Sequence, residues 1–297
     1  MAANTRVMLW LPANAMALTF PSGLRHLKDS GVKLRHVTVA LVALLLMMQT
    51  VYAEATADRL YVVACGERTA PDASPWTPGV NVGQPIDFVD TCYVIKHGND
   101  WMVWDTGLPD AIYSKPSTDP SAWRRTNTLE GELAKIGIKP AEVKYLAVSH
   151  THPDHIGNVE LFPQAMLLVQ QAEYDWPNQD GSPRFKQSHP VTKLQGDHDV
   201  FGDGSVTILS TPGHTPGHQS LLVRLNETGA VLLSGDAVHL KSNWDARRVP
   251  SINVDKAKSL TSMQRMADVM AHDDAQLWIN HDKPQSQTMK HAPEYYQ

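Results

Sequence analysis

The heptapeptide SHTHPDH (149–155) puts three imidazoles and a carboxylate into seven positions. His150, His152, Asp154 and His155 are groups that hold metal ions. Imidazole nitrogen suits zinc and similar borderline cations, and an added carboxylate suits a harder or second one. The apolar run VKYLAV (143–148) leads straight into them. Pro153 forbids a helix interior there. The side chains are therefore expected to leave a loop at a buried strand's end, where α/β folds place sites. Four ligands in six residues exceed what one tetrahedral ion takes from so short a loop, so two ions sharing it is the simpler geometry. The plain alternative is a surface histidine cluster without metal. It is disfavoured because matching groups end other apolar runs: His214 in LSTPGHTPGH, Asp236 and His239 in LLSGDAVH, and His281 in WINHD.

Those groups need strands to carry them. RLYVVAC (59–65) is strand-like, and 66–84, rich in Pro, Gly, Asp and Ser, is expected to be a loop. TCYVIKHGNDWMVWDTG (91–107) predicts a hairpin turning at Gly98-Asn99-Asp100. A second polar loop covers 109–125. TLEGELAKIGI (128–138) is a short amphipathic helix. AMLLVQ (165–170), GSVTILS (204–210), the pair QSLLVRL and AVLLSGD, and QLWIN (276–280) are further strands. In 255–271, Leu260, Met263, Ala267 and Met270 fall on one helical face, with Met263, Met266 and Met270 expected in the core. Strands and helices mix without repeats, which predicts one α/β domain over 54–297.

Residues 37–48 are apolar apart from Thr38, follow Lys33 and Arg35, and precede Val51-Tyr52-Ala53. The run is too short to span a bilayer and has the build of an export signal over 32–53, cleaved after Ala53. Residues 1–31 then read as an upstream extension, with Val32 as the true start. The product is expected to be periplasmic or secreted, without stable membrane insertion. The chain's net charge of −5 becomes more negative once the basic leader is removed, which gives no reason to expect nucleic acid. The only cysteines are Cys65 and Cys92. An exported chain permits a disulfide, but both lie in apolar runs, and two buried thiols is the favoured reading.

The motifs HTHPDH, TPGHTPGHQS, SGDAVH and NHD, with WDTG (104–107) and DTCYVI (90–95), resemble the metallo-β-lactamase-fold hydrolases, and among them the N-acyl homoserine lactonases. The similarity runs from about residue 60 to 296. It implies an αββα four-layer sandwich: two mixed sheets face to face, helices outside, and two divalent metal ions, zinc being the expected species, at one edge. By motif position His150, His152 and His214 would hold the first ion and Asp154, His155 and His281 the second, with Asp236 bridging. His218 and Asp105 would support these ligands. The small-molecule partner would be a lactone, and a homodimer is allowed.

The resemblance also implies a mechanism. A hydroxide bridging the metals attacks the lactone carbonyl, and Asp154 passes the proton to the leaving alkoxide. One position departs from the lactonase pattern. Where that branch has a tyrosine, three residues after the bridging aspartate, this chain has His239. His239 could hold the substrate carbonyl or only line the wall. Trp76 and Trp123 could supply apolar walls. His97, His189, His198, His272 and His291 read as surface residues. Other readings are a β-lactam or ester hydrolase on the same site, a mononuclear iron oxygenase of the persulfide-dioxygenase type, and a non-enzymatic zinc-binding protein.

Overall fold

The computed structural model describes residues 55–119, 121–186 and 189–297. The expected leader and export signal lie outside them. Two sheets carry the chain. The larger has the order β1 (Arg59–Ala70), β2 (Ile86–His97), β3 (Asp100–Trp104), β4 (Tyr145–Ala147), β5 (Met166–Gln170), β6 (Val191–Leu194). The smaller runs β11 (Gln276–Trp278), β10 (Gly229–Leu233), β9 (Gln219–Leu225), β8 (Val206–Ser210), β7 (His198–Asp199). Both are mixed: β1–β2–β3 pair antiparallel and β3 to β6 parallel, while β10–β11 is the parallel pair of the smaller sheet.

Alternation along the strands builds three apolar layers. Between the sheets lie Leu60, Val62, Tyr93, Ile95 and Trp104 from one side and Ile208, Leu221, Val223 and Val231 from the other. On the outer face of the larger sheet, Val63, Val94 and Val103 pack against Leu129 and Leu133 of the helix Leu129–Ile136. On the outer face of the smaller sheet, Leu209, Leu222 and Leu232 pack against Met263 and Met266 of the helix Lys256–Asp273. The result is the αββα order of layers expected from the sequence. Each of these two helices has a side-chain cap: Thr128 accepts from the Gly131 amide, and Asp255 from the Lys258 amide.

Several expectations need correction. Cys65 and Cys92 are not free thiols; they form a disulfide, with their Cα atoms 5.9 Å apart. Periodicity could not place them together, because a bulge between Ala64 and Gly66 shifts the register and brings Cys65 beside its neighbour on β2. The same pairing continues past the bulge, so β1 runs to Ala70 rather than ending at residue 65. The long helix buries Ser259, Ser262, Met263 and Met266, while Leu260 is 38% exposed. Its buried face is thus turned from the apolar stripe read in the sequence, since small serines allow closer approach to the loop below. Met270 is only partly buried. The short strands β6 and β7 have no apolar pattern and were not expected.

Candidate metal centre

Four strand ends deliver the predicted ligands to one place. β4 leads to His150 and His152, then to the single helical turn Pro153–Ile156, where Pro153 takes the first position that proline tolerates. β8 ends before the turn that carries His214, β10 before Asp236, and β11 before His281. Gln219, at the start of β9, ties the two sheets together beside this edge. Its amide donates to Ser149 O, and its side chain donates to Val148 O and Leu168 O.

The convergence is tight. Ligand atoms of His150, His152, His214 and Asp236 all lie within 4.8 Å of one another, as do those of Asp154, His155 and His281. These are the two sets expected for two ions. Asp236 stands between them with its oxygens divided. Oδ2 is 3.7 Å from His150 Nε2 and 3.3 Å from His214 Nε2; Oδ1 is 3.4 Å from His155 Nε2 and 3.0 Å from His281 Nε2. Asp154 reaches the second set only, at 3.8 Å from His155 Nε2 and 3.9 Å from His281 Nε2. A third group, Asp236, His239 and His281, was not anticipated as a ligand set.

The donor set fits cations on two counts. His155 Nε2 is buried without a hydrogen-bond partner, and Asp236 Oδ1 is buried with only the imidazole nitrogens of the cluster near it, a costly arrangement unless another species sits among them. Four of the imidazoles are also held through Nδ1 with Nε2 turned inward. Their partners are Ser149 Oγ for His150 (3.0 Å), Asp105 Oδ2 for His155 (3.0 Å), Asn253 Oδ1 for His214 (2.9 Å) and the Val89 carbonyl for His281 (2.7 Å). Such outer contacts fix the tautomer that leaves Nε2 free for a metal.

Electrostatics follow from this crowding. Burial, reinforced by His155, drives the His150 imidazolium well below its usual range, and burial with His214 lowers His152 to about 4. His281 loses to burial but gains more from Asp236 and Asp154, and is raised to about 9; His155 is raised for the same reasons with Asp105 added. Burial works against the Asp236 carboxylate, yet His239, His281, His155 and His150 hold it well below the usual carboxylate range. Protons thus stand where cations would, and metal binding must displace them.

The supporting residues are as informative. Asp105 takes a left-handed backbone, φ 58°, which a non-glycine residue holds only when its surroundings fix it. Its carboxylate accepts from the Ser149 amide (2.6 Å) and hydroxyl (2.9 Å) and faces His155. His218 accepts the Asp236 amide at Nε2 (2.9 Å), and burial keeps it neutral for that role. Gly235 precedes Asp236 at φ 50°, and a Cβ there would stand 2.7 Å from the Ser149 side chain. Sequence reading missed Glu173. It is fully buried, accepts from the Thr151 amide (2.8 Å) and hydroxyl (2.7 Å) and from the Gly217 amide (2.9 Å), and so joins the two histidine loops. Nothing in QQAEY marks it. Of the histidines read as surface residues, none joins the cluster. His189 is nonetheless buried, its Nδ1 on the Pro190 carbonyl, and His97 pairs with Asp203 at 2.9 Å.

A cavity of about 140 Å³ opens on Asp154, Asp236, His239 and His281, walled by Arg68, Trp76, Phe88 and Trp123. The tryptophans expected as walls are there. His239 is 1% exposed, with Nε2 at 3.0 Å from Asp236 Oδ2 and Nδ1 unpartnered.

The chain is similar to known proteins in sequence and fold. The metallo-beta-lactamase superfamily model matches residues 86–272. An N-acyl homoserine lactonase from Azorhizobium caulinodans is 35% identical over 243 residues, covering 73% of this chain and 89% of that protein. One from a Bacillus species is 29% identical, covering 81% of this chain and 99% of its own length. Among solved structures, a quorum-quenching N-acyl homoserine lactone lactonase superposes with a TM-score of 0.71 at 26% identity over 82% of this chain and 99% of that one. An N-acyl homoserine lactone hydrolase with N-hexanoyl-L-homoserine at its catalytic metal centre gives 0.70 at 25% identity, covering 81% of this chain and 100% of that one. With the ligand sets in place and the family model covering most of the described chain, the protein belongs to the metallo-beta-lactamase superfamily and, within it, to the metal-dependent hydrolases of the N-acyl homoserine lactonase group.

Proposed function

We propose that this chain is an exported dinuclear hydrolase that opens the ring of N-acyl homoserine lactones, a quorum-quenching activity. The observation that carries the reading is the division of Asp236, one oxygen toward each imidazole set. His150, His152 and His214 would hold one ion, Asp154, His155 and His281 the other, and Asp236 both; zinc suits this nitrogen-rich set. Bound cations supply Lewis acidity at a carbonyl and a water that ionises at about pH 7. The protein's own groups do the rest. Asp154, its side chain 19% exposed at the cavity wall, takes the proton released on attack and returns it to the leaving alkoxide. His239 is a neutral donor near pH 7, because burial outweighs the pull of Asp236. That neutral ring has one N–H, which points from Nε2 at Asp236 Oδ2, 3.0 Å away; with that oxygen engaged by a cation, the N–H would be free to hold the lactone carbonyl in the role that tyrosine has in the lactonase pattern.

The test is to purify residues 54–297, quantify zinc, iron, manganese and cobalt, and follow acid release from lactones, esters and β-lactams. Two divalent ions per chain and fastest release from acylated homoserine lactones are expected. A single iron, or two ions with no lactone opening, would overturn the reading.

Export rests on the basic-flanked apolar run 37–48, and the Cys65–Cys92 disulfide suits an oxidising compartment. N-terminal sequencing of cell fractions should find a mature chain starting near residue 54 outside the cytoplasm and a precursor starting at residue 32. A precursor beginning at Ala2 or Ala3 would defeat the upstream-extension idea.

A further inference from the structure

One cation lines the cavity without serving any ligand. Arg68 sits on β1 directly opposite Phe88 on β2, so the two side chains share a face. That face looks over the metal centre: Phe88 meets the His281 ring edge-on at 6.1 Å, and Trp123 lies 6.0 Å from the same ring. The Arg68 guanidinium lies between two indoles, 5.9 Å from Trp76 and 5.5 Å from Trp123. The walls are fixed. Trp76 packs on Phe88 at 4.8 Å, and the main chain beside Trp123 is zipped to β1 by a pair of amide hydrogen bonds between Glu67 and Arg124. Among the described residues Arg68 has no ion pair within 4 Å, and its Nε is buried without a hydrogen-bond partner. Asp119 acts on it only at longer range.

A guanidinium has five donors in a rigid plane and no acceptor. Cation–π contact with the two indoles holds the charged group at the cavity wall and leaves N–H donors for something else. The cavity it borders, about 140 Å³, is well below the roughly 300–1,000 Å³ of sites that enclose a drug-sized ligand. It has room for a ring and the atoms next to it. We infer that Arg68 is a specificity-determining residue: its guanidinium binds the amide carbonyl oxygen on the lactone ring, selecting ring substituents that carry an acceptor over bare lactones. This deepens, and rests on, the lactonase reading above.

The test compares kcat/KM for N-butanoyl-L-homoserine lactone and for γ-butyrolactone, which lacks the amide, in the zinc-loaded wild type, Arg68→Met and Arg68→Lys. Binding of ring-opened N-butanoyl-L-homoserine is read in parallel from tryptophan fluorescence. Arg68→Met should lower the ratio of the two kcat/KM values about tenfold or more, as loss of a hydrogen bond from a charged donor does. It should leave zinc content unchanged, slow γ-butyrolactone opening much less than that of the acylated lactone, and weaken product binding. Arg68→Lys keeps the stem and the charge; it should lower the ratio less and serves alone if the methionine variant does not fold. An unchanged ratio in folded, zinc-loaded variants overturns the inference, as does a parallel slowing of both substrates, which marks a packing role. A wild type that opens both lactones equally well overturns it too, with the lactonase reading intact. A zinc-loaded wild type that opens neither lactone overturns the lactonase reading itself.

Discussion

At the scale of the residue, chemistry was legible wherever a side chain acts by its type. His150, His152, Asp154, His155, His214, Asp236 and His281 could be named from spacing and motif, and the structure brings all seven together. Residues that act by position alone were not legible. Glu173 is one glutamate among many until the Thr151 and Gly217 amides are seen to point at it, and Arg68 matters only because the β1–β2 register sets it opposite Phe88. Asp236 is the residue on which the site turns. Asp236→Ala should lose bound metal and nearly all lactone turnover, read by elemental analysis and acid release; full turnover with two ions bound would refute its assignment. A second carboxylate offers a pH test. Burial raises Asp90 to about 7, with Asp154 adding to the rise against the opposing charge of His155. The folded chain therefore holds this proton more tightly than the unfolded chain does. Its stabilising effect is complete below about pH 4 and is lost as pH climbs through about 7. In metal-free protein, Asp90→Asn should become more stable relative to wild type as pH goes from 5 to 8, measured by Tm. A constant difference across that range would contradict the shift.

At the scale of the element, the site depends on how loops are tied to strand ends. Glu173 joins the loop after β4 to the loop after β8 through three hydrogen bonds. Glu173→Gln keeps the shape but sets an amide donor against one of those backbone donors. Metal affinity should fall about 10- to 100-fold, as when outer partners of ligands are lost, and Tm should drop as well. Competition with a zinc-binding dye reads the first effect, and unchanged affinity would remove Glu173 from the account. Most strands could be read from apolar runs, because both faces of the central strands are buried. The bulge at Cys65 could not, since one extra residue reverses the facing of all that follows and leaves no mark in composition. The turned face of the helix Lys256–Asp273 was also hidden, because its contact with the loop after β8 uses serines: Ser262 donates to the Pro212 carbonyl, and Ser259 Oγ accepts from Asn253, which in turn holds His214.

At the scale of the whole molecule, two sheets and their outer helices form a rigid frame with its chemistry at one edge. The Cys65–Cys92 disulfide staples β1 to β2 beside the loop that follows Asp105. Gly107, at φ 65° in the loop that follows Asp105, lies so close to both cysteines that no side chain fits there. Replacing both cysteines with alanine should cost about 2–4 kcal/mol of stability, measured by urea unfolding, and the reduced wild type should match the variant. Equal midpoints for oxidised wild type and variant would show that the bridge contributes nothing. The αββα order of layers came from the likeness of the ligand motifs to a known family, while the apolar runs by themselves reached only a single α/β domain; the disulfide, the length of β1 and the buried face of the long helix had to come from the structure.

The central claim is that two cations, held on either side of Asp236, together open a lactone. It is tested most directly by titrating the metal-free protein with zinc while following acid release from N-hexanoyl-L-homoserine lactone. Turnover should climb to a plateau reached at two equivalents of zinc per chain. A plateau at one equivalent, or no acid release with two ions bound, would contradict it.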